Sequence, residues 1–215
     1  MTPHRTPFFL PLLYPSLQWR VPNVSNSLYL TFDDGPVEGP TEFVLNTLSE
    51  FSIKATFFCI GDNVQRYPHV FRKILDAGHH VGNHTFHHLN GWKASVKNYL
   101  HDVSLCENEL NKFKDGKVDQ QLMPIFRPPY GRVSRKQIRA LQHYFNIIMW
   151  DVLSVDYNKR LSEEKCLRNT LRATRPGSII VFHDSYKAEK NLVYVLPRFI
   201  SQCLELGYTF NPIIL

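Results

Sequence analysis

Short apolar runs alternate along the chain with longer segments whose apolar residues recur every three or four positions. Residues 28–32 (LYLTF) form one such run and stop in a turn at residues 33–36. Residues 41–51 follow, with Phe43, Val44, Leu48 and Phe51 on one side, the spacing of an amphipathic helix. The same reading predicts strands at 55–60, 80–83, 125–127, 147–150, 178–182 and 208–210. It predicts helices at 63–77, interrupted by Pro68 and closed by Gly78, and at 93–113 and 134–144. Two more are predicted at 162–172 and at 192–206, the latter ended by Gly207. Ser134 and Ser162 stand where an N-cap hydroxyl would accept from the first turn, and Glu163 and Glu164 suit a helix start. Roughly seven strand–helix units in one chain predict a parallel sheet covered by helices, either open or closed into a barrel. No repeat, low-complexity linker or second domain interrupts residues 25–215.

Residues 1–24 differ from the rest. Phe8 to Leu13 are mostly apolar, but Pro7, Pro11 and Pro15 break the run and no small-x-small cleavage site follows. This stretch is expected to be an arm packed on the domain through Phe8, Phe9, Leu12, Leu13, Tyr14 and Trp19. No segment has the roughly 20 apolar residues of a membrane span. With no export signal visible, the sequence points to the cytoplasm.

The composition narrows the class. The chain has 215 residues, 43% hydrophobic and 20% charged, as a folded domain should. The net charge of +6 is spread without a run of Lys or Arg, so a nucleic-acid surface is not expected. Cys59, Cys106, Cys166 and Cys203 form no C-x-x-C pair, which excludes a zinc ribbon and reads as four buried thiols.

Polar residues able to do chemistry recur just after the predicted strands, where parallel α/β folds assemble their sites. Asp33 and Asp34 sit in T-F-D-D-G-P, which could also be a plain turn. His84, His87 and His88 sit in H-T-F-H-H. His84 and His88, four apart, would share a face of a helical turn. With a carboxylate, two such imidazoles suit a divalent metal. His84 with His87 is a rival pair, and a His-rich surface loop is the plainer alternative. Arg127-Pro128-Pro129-Tyr130-Gly131 is a stiff loop. Trp150-Asp151 through Asp156-Tyr157 offers aromatic surface and two carboxylates. His183-Asp184 ends an apolar strand, a place for a proton donor.

These five segments, in this order, resemble the NodB-like polysaccharide deacetylases, carbohydrate esterase family 4, over roughly residues 27–210. The resemblance implies a distorted (β/α) barrel of about seven parallel strands and gives each motif residue a role. Asp33 matches the catalytic base, and Asp34, His84 and His88 match the metal ligands. Arg127 matches the arginine paired with the base, and the Tyr130 backbone N–H matches the oxyanion donor. His183 matches the general acid and Asp156 its acidic partner, with Asp184 a rival by sequence adjacency. Pro128, Trp150 and Val181 would line the substrate pocket. Leu153 and Tyr157 depart from the family pattern, which often has aspartate and tryptophan there.

The implied activity is metal-dependent removal of acetyl groups from N-acetylated sugars of a peptidoglycan- or chitin-like glycan by a monomer. Zn²⁺ is the expected metal, with Co²⁺ or Ni²⁺ as alternatives. Two other readings stay open at this stage: an O-deacetylase of acetylated hemicellulose, and a non-catalytic sugar-binding domain. The family's substrates usually lie in the cell envelope, in tension with the missing export signal.

Overall fold

The structure, a computed structural model, describes residues 4–22, 25–113 and 123–214. Residues 1–3 and 23–24 of the expected arm, and residue 215, lie outside the described residues. In chain order the elements are α1 (Phe9–Leu13), β1 (Ser27–Asp33), α2 (Pro40–Glu50), β2 (Thr56–Cys59), α3 (Gly61–Arg66) and α4 (Pro68–Asp76). Then come β3 (His80–Asn83), α5 (Val96–Asn111), β4 (Ile125–Phe126), α6 (Arg135–Leu141), β5 (Asn146–Ile147) and β6 (Val152–Leu153). The chain finishes with α7 (Glu163–Ala173), β7 (Ile179–His183), α8 (Glu189–Glu205) and β8 (Thr209–Phe210).

The strands pair in the order β5-β4-β3-β2-β1-β7-β6, all parallel, with β8 added to the start of β1. β1 is central and its side chains are buried on both faces, which is why it reads as an unbroken apolar run rather than an alternating one. Leu28, Leu30 and Phe32 face helices α2 and α8 in the largest core cluster. Thr31, fully buried between them, donates its hydroxyl to the Ile180 carbonyl at 2.7 Å, so no polar group is stranded.

The predicted strand at 147–150 is corrected. β5 and β6 are the two edges of the sheet, yet only residues 148–151 separate them. Five Cα steps span about 18 Å at most, so the sheet curls until its edges approach. The apolar run therefore serves two neighbours: Ile148 N–H donates to Phe126 O, and Asp151 N–H donates to Ile179 O. The result is an incompletely closed barrel, with Phe58, Ile125, Ile148, Ile179 and Ile213 packed together in a separate small cluster.

The arm meets this seam, though not as expected. Gln18 bridges to Ile148, Arg5 to Val152 and Arg20 to Ser178, so the arm adds backbone partners beside both edge strands. Leu17 is buried with Phe145, Ile147 and Met149, and Tyr14 and Trp19 pack on that cluster. Phe8 (84% exposed), Phe9, Leu12 (75%) and Leu13 do not pack, because α1 lifts them off the surface. The four cysteines are buried and unpaired. Among the described residues no helix is long and apolar enough to cross a membrane.

Removing residues 1–22 would uncover the Leu17 site and bare both edges. Melting by circular dichroism should show Tm lowered by at least about 4 °C, the worth of one buried leucine in a chain of this size. Light scattering should rise on heating. An unchanged Tm and scattering would mean that the arm contributes nothing to the folded unit.

Candidate active site

Because the strands are parallel, their carboxyl ends share one rim. Asp33 ends β1, His84 follows β3, Arg127 follows β4 and His183 ends β7. The rim holds a cavity of about 600 Å³, whose walls include Asp33, Asp34, His84, His88, Trp150, Val181 and His183.

Asp33 is buried, and its Oδ1 accepts from Arg127 Nη1 at 2.7 Å. Arg127 is wholly enclosed. It also donates to Thr31 Oγ1 and to the Ile148 and Met149 carbonyls, and its plane lies over the Phe58 ring. Asp34 points the other way from the same turn, through a backbone with φ 81°. Asp184 holds that turn: its carboxylate accepts from Gly35 N–H at 3.0 Å and Thr41 Oγ1 at 2.7 Å, and a Cβ on Gly35 would lie 2.0 Å from it. Burial pushes the Asp184 carboxyl up to about 8.

The histidine pair does not lie on a helical turn. Residues 84–88 form an irregular loop in which Thr85 (φ 62°) and His88 (φ 54°) are left-handed. Side chains from elsewhere hold this loop. Asn83 Oδ1 accepts from Thr85 N–H, and Asp102 of α5 accepts from the Phe86 and His87 N–H groups. His87 turns away to Asp102. His84 and His88 instead face Asp34: Nε2 to Oδ1 is 3.7 Å for His84 and 3.2 Å for His88. Asp34, His84 and His88 are the one such grouping among the described residues whose donor atoms all lie within 4.8 Å of one another.

This set fits a divalent cation. His84 Nδ1 sits 2.8 Å from the Arg127 carbonyl, an arrangement that places the ring proton there and frees Nε2 for the metal. Burial pushes His84 down to about 4, so the ring is neutral, as a ligand must be. Burial opposes ionisation of Asp34, but the His88 hydrogen bond and the charge of His183 hold it well below the usual carboxylate range.

His183 has the opposite setting. Its Nδ1 is 2.7 Å from Asp156 Oδ1, and the His183 backbone N–H donates to Asp156 Oδ2 at 2.8 Å. Asp156 is buried and its own carbonyl accepts from Asn191. Burial pushes the His183 imidazole down, but the Asp156 charge and hydrogen bond, with Asp34 and Asp33, outweigh it and bring it to about 9. Asp184, the sequence neighbour, is engaged elsewhere.

The Tyr130 backbone is left-handed (φ 59°) at the tip of the stiff loop. The loop's own hydrogen bonds run from Gly131 N–H to Pro128 O and from Arg132 N–H to Pro129 O, leaving the Tyr130 N–H outside that ladder. Its ring packs against His88 at 4.5 Å, the two planes tilted by 54°. Trp150 and Val181 line the cavity as expected, whereas Pro128 is buried and is not among the lining residues. Asp151 is also outside, held by Arg175 through two hydrogen bonds. Sequence reasoning missed Asp102, Arg132 and Lys187. The first shows only as one acid on the inner face of a helix, and the others only as cations a few residues past a motif.

Residues 20–145 match the family model described as "Polysaccharide deacetylase". A peptidoglycan-N-acetylglucosamine deacetylase of Bacillus cereus is 35% identical over 184 residues, 84% of this chain and 64% of that protein. The chain thus spans less than two thirds of this relative's length. A chitooligosaccharide deacetylase of Azorhizobium caulinodans is 32% identical over 166 residues, 77% of each chain. A crystal structure of a peptidoglycan N-acetylglucosamine deacetylase, bound to 4-naphthalen-1-yl-N-oxidanyl-benzamide, superposes with a TM-score of 0.86 at 30% identity, covering 97% of this chain and 95% of that one.

Metal analysis after dialysis should separate the neighbouring residues. Asp34→Asn and His88→Ala should lose most bound metal, while Asp33→Asn and His87→Ala retain it. Loss in His87→Ala with retention in His88→Ala would reverse the ligand assignment.

Proposed function

The chain belongs to the polysaccharide deacetylase family, and from that premise we propose that it is a metal-dependent hydrolase that removes acetyl groups from N-acetylated sugars of a glycan. The observation that carries this is the meeting, in one cavity, of three separately held parts. They are the Asp34, His84, His88 set, Asp33 on Arg127, and His183 on Asp156. The similar peptidoglycan and chitooligosaccharide deacetylases support an acetamido sugar as the substrate.

When bound to Asp34, His84 and His88, a divalent cation, Zn²⁺ first and Co²⁺ or Ni²⁺ as substitutes, supplies Lewis acidity that acidifies water and polarises a carbonyl. The protein's own groups do the rest. Asp33, held through Oδ1 alone, takes a proton from the attacking water. The acetyl methyl rests against Val181 and Leu153, which face one another across β7 and β6. The Tyr130 N–H donates to the tetrahedral oxyanion. His183 gives its proton to the nitrogen as the C–N bond breaks, since an amide anion cannot leave unprotonated. Acetate and a free amino sugar result. A cation kept by Asp156 is what that last step needs, and His183 is held in that state.

Acetate release from N-acetylglucosamine oligomers and from acetylated xylan, with and without chelator, tests this reading. Release from the oligomers should stop with chelator and return with Zn²⁺ or Co²⁺. Release from xylan alone would make the enzyme an O-deacetylase, and release from neither would leave a sugar-binding domain. Asp33→Asn should lower turnover by about 10²- to 10⁴-fold.

The pH profile gives a second test. A general acid works while protonated, so activity falls as pH rises through the His183 pKa. Asp156 raises that pKa, so Asp156→Asn should move the basic limb of kcat/KM to lower pH, with metal content unchanged. A limb that stays in place in Asp156→Asn would remove His183 from the role of acid.

A further inference from the structure

Helix α1 turns its apolar side away from the fold. Phe8, Phe9, Leu12 and Leu13 fall on one side of it, paired at four-residue spacing, and all four are exposed. The Phe8 and Phe9 rings pack edge to face at 5.9 Å. Leu10 and Pro11, on the other side, are half-buried. The arm is held on both flanks of α1. Arg5 Nε donates to the Ala173 carbonyl at 3.0 Å and Thr6 Oγ1 to the Trp150 carbonyl at 2.6 Å, while Leu17 is buried beyond the helix. An apolar face kept outward by its anchors marks a contact with something outside the chain.

The surroundings are cationic. Residues 4–22 hold no Asp or Glu. Two helices border the arm: Arg135 of α6 lies over the Tyr14 ring at 5.6 Å, and Asn169 of α7 meets His4 at 3.2 Å. Neither α6 nor residues 165–175 contain an acid. Arg135, Lys136, Arg139, Arg168 and Arg172 are exposed, with no carboxylate partner among the described residues. A second copy would cover this face poorly. A two-fold contact sets the face against itself, cation to cation, on chains of net charge +6. A bilayer with anionic headgroups answers both features, with apolar depth for the four side chains and negative charge for the cations beside them.

We propose that α1, with the neighbouring cations of α6 and α7, is a membrane-surface contact that seats Phe8, Phe9, Leu12 and Leu13 among anionic lipid headgroups. The contact is interfacial, since five helical residues rise only about 8 Å. The arm also ties it to the cavity. The Thr6 N–H donates to the Asp151 carbonyl, and the His4 carbonyl accepts from the Leu153 N–H. A bilayer that holds α1 therefore holds the cavity wall of Trp150 and Leu153 at a fixed distance from its surface. The contact goes beyond the deacetylase reading and stands without it.

Sedimentation of the full chain with vesicles tests this. Vesicles of equal parts phosphatidylcholine and phosphatidylglycerol should bind it at least about tenfold more strongly than phosphatidylcholine alone, and salt should weaken the binding. Replacing all four apolar residues (Phe8→Ser, Phe9→Ser, Leu12→Ser, Leu13→Ser) should cost at least about tenfold in partition and leave Tm unchanged. Arg135→Gln with Arg139→Gln should cost about fivefold or more. A Leu12→Trp chain should be quenched by brominated acyl chains beyond the quenching of the unaltered chain. That reading needs no loss of function, so it holds even if the four-serine variant folds poorly. Equal sedimentation with and without mixed vesicles, binding that survives the four serines, or no added quenching at position 12 overturns the proposal. So does a dimer seen by analytical ultracentrifugation without lipid and lost with the four serines, which would make a second copy the cover.

Discussion

The enclosed ion pair between Arg127 and Asp33 is the constraint on which the rest of this architecture depends. A guanidinium wholly out of water is tolerable only when its donors are met and a counter-charge is beside it. Here Nη1 serves Asp33 and Thr31 of β1, Nη2 and Nε serve the Met149 and Ile148 carbonyls, and the face lies on Phe58 of β2. Those partners come from β1, β2 and the segment leaving β5. One side chain thus fixes where the curled sheet's far edge stands relative to its centre. Losing one partner of such a pair costs about 3–5 kcal/mol in general, because the remaining charge is stranded. The same interaction that sets the barrel's closure also holds the carboxylate that faces the cavity.

The other reacting groups follow the same scheme, each held by a side chain or carbonyl from a different element. His84 is set by the Arg127 carbonyl, His183 by Asp156, the histidine loop by Asp102, and the aspartate turn by Asp184. Their electrostatic consequences diverge. Burial lowers both imidazoles, but only His183 has a carboxylate in hydrogen-bond contact through Nδ1, so His84 settles at about 4 and His183 at about 9. Two histidines on one rim are thereby kept in different protonation states near neutrality, which is what the proposed reaction asks of a metal ligand and a proton source.

Much of this was legible in the sequence because it is local. The apolar run at 28–32, the N-caps at Ser134 and Ser162, and the order of polar clusters after strands each depend on a few adjacent residues. What was not legible depends on distant partners. The split of 147–153 into β5 and β6 is decided by β4 and β7. The loop at His84–His88 needs Asn83 and Asp102 to hold two left-handed residues, and no spacing rule foresees that. The arm's apolar residues misled for the same reason: Leu17 finds a cluster beside β5, while Phe8 and Leu12 find none. Pro128, expected from the resemblance to line the pocket, is buried, while Tyr130 two residues on stands exposed at the cavity's rim.

The cavity therefore has two regimes. Its floor is made of groups with buried, mutually satisfied partners, where any substitution strands a charge or a polar atom and changes the reaction itself. Its rim is made of the exposed Tyr130, Arg132 and Lys187, with the half-buried Tyr157 ring beneath Lys187. Between them stands the apolar wall of the buried Leu153, Val155 and Val181, with the partly buried Trp150 packed on it. On the proposed reaction this wall measures the acyl group, since a larger chain than acetyl would have to displace close-packed side chains on β6 and β7. On that proposal, reaction type and acyl size are set in different layers of one site, and the exposed rim can change without touching Arg127 or anything it holds.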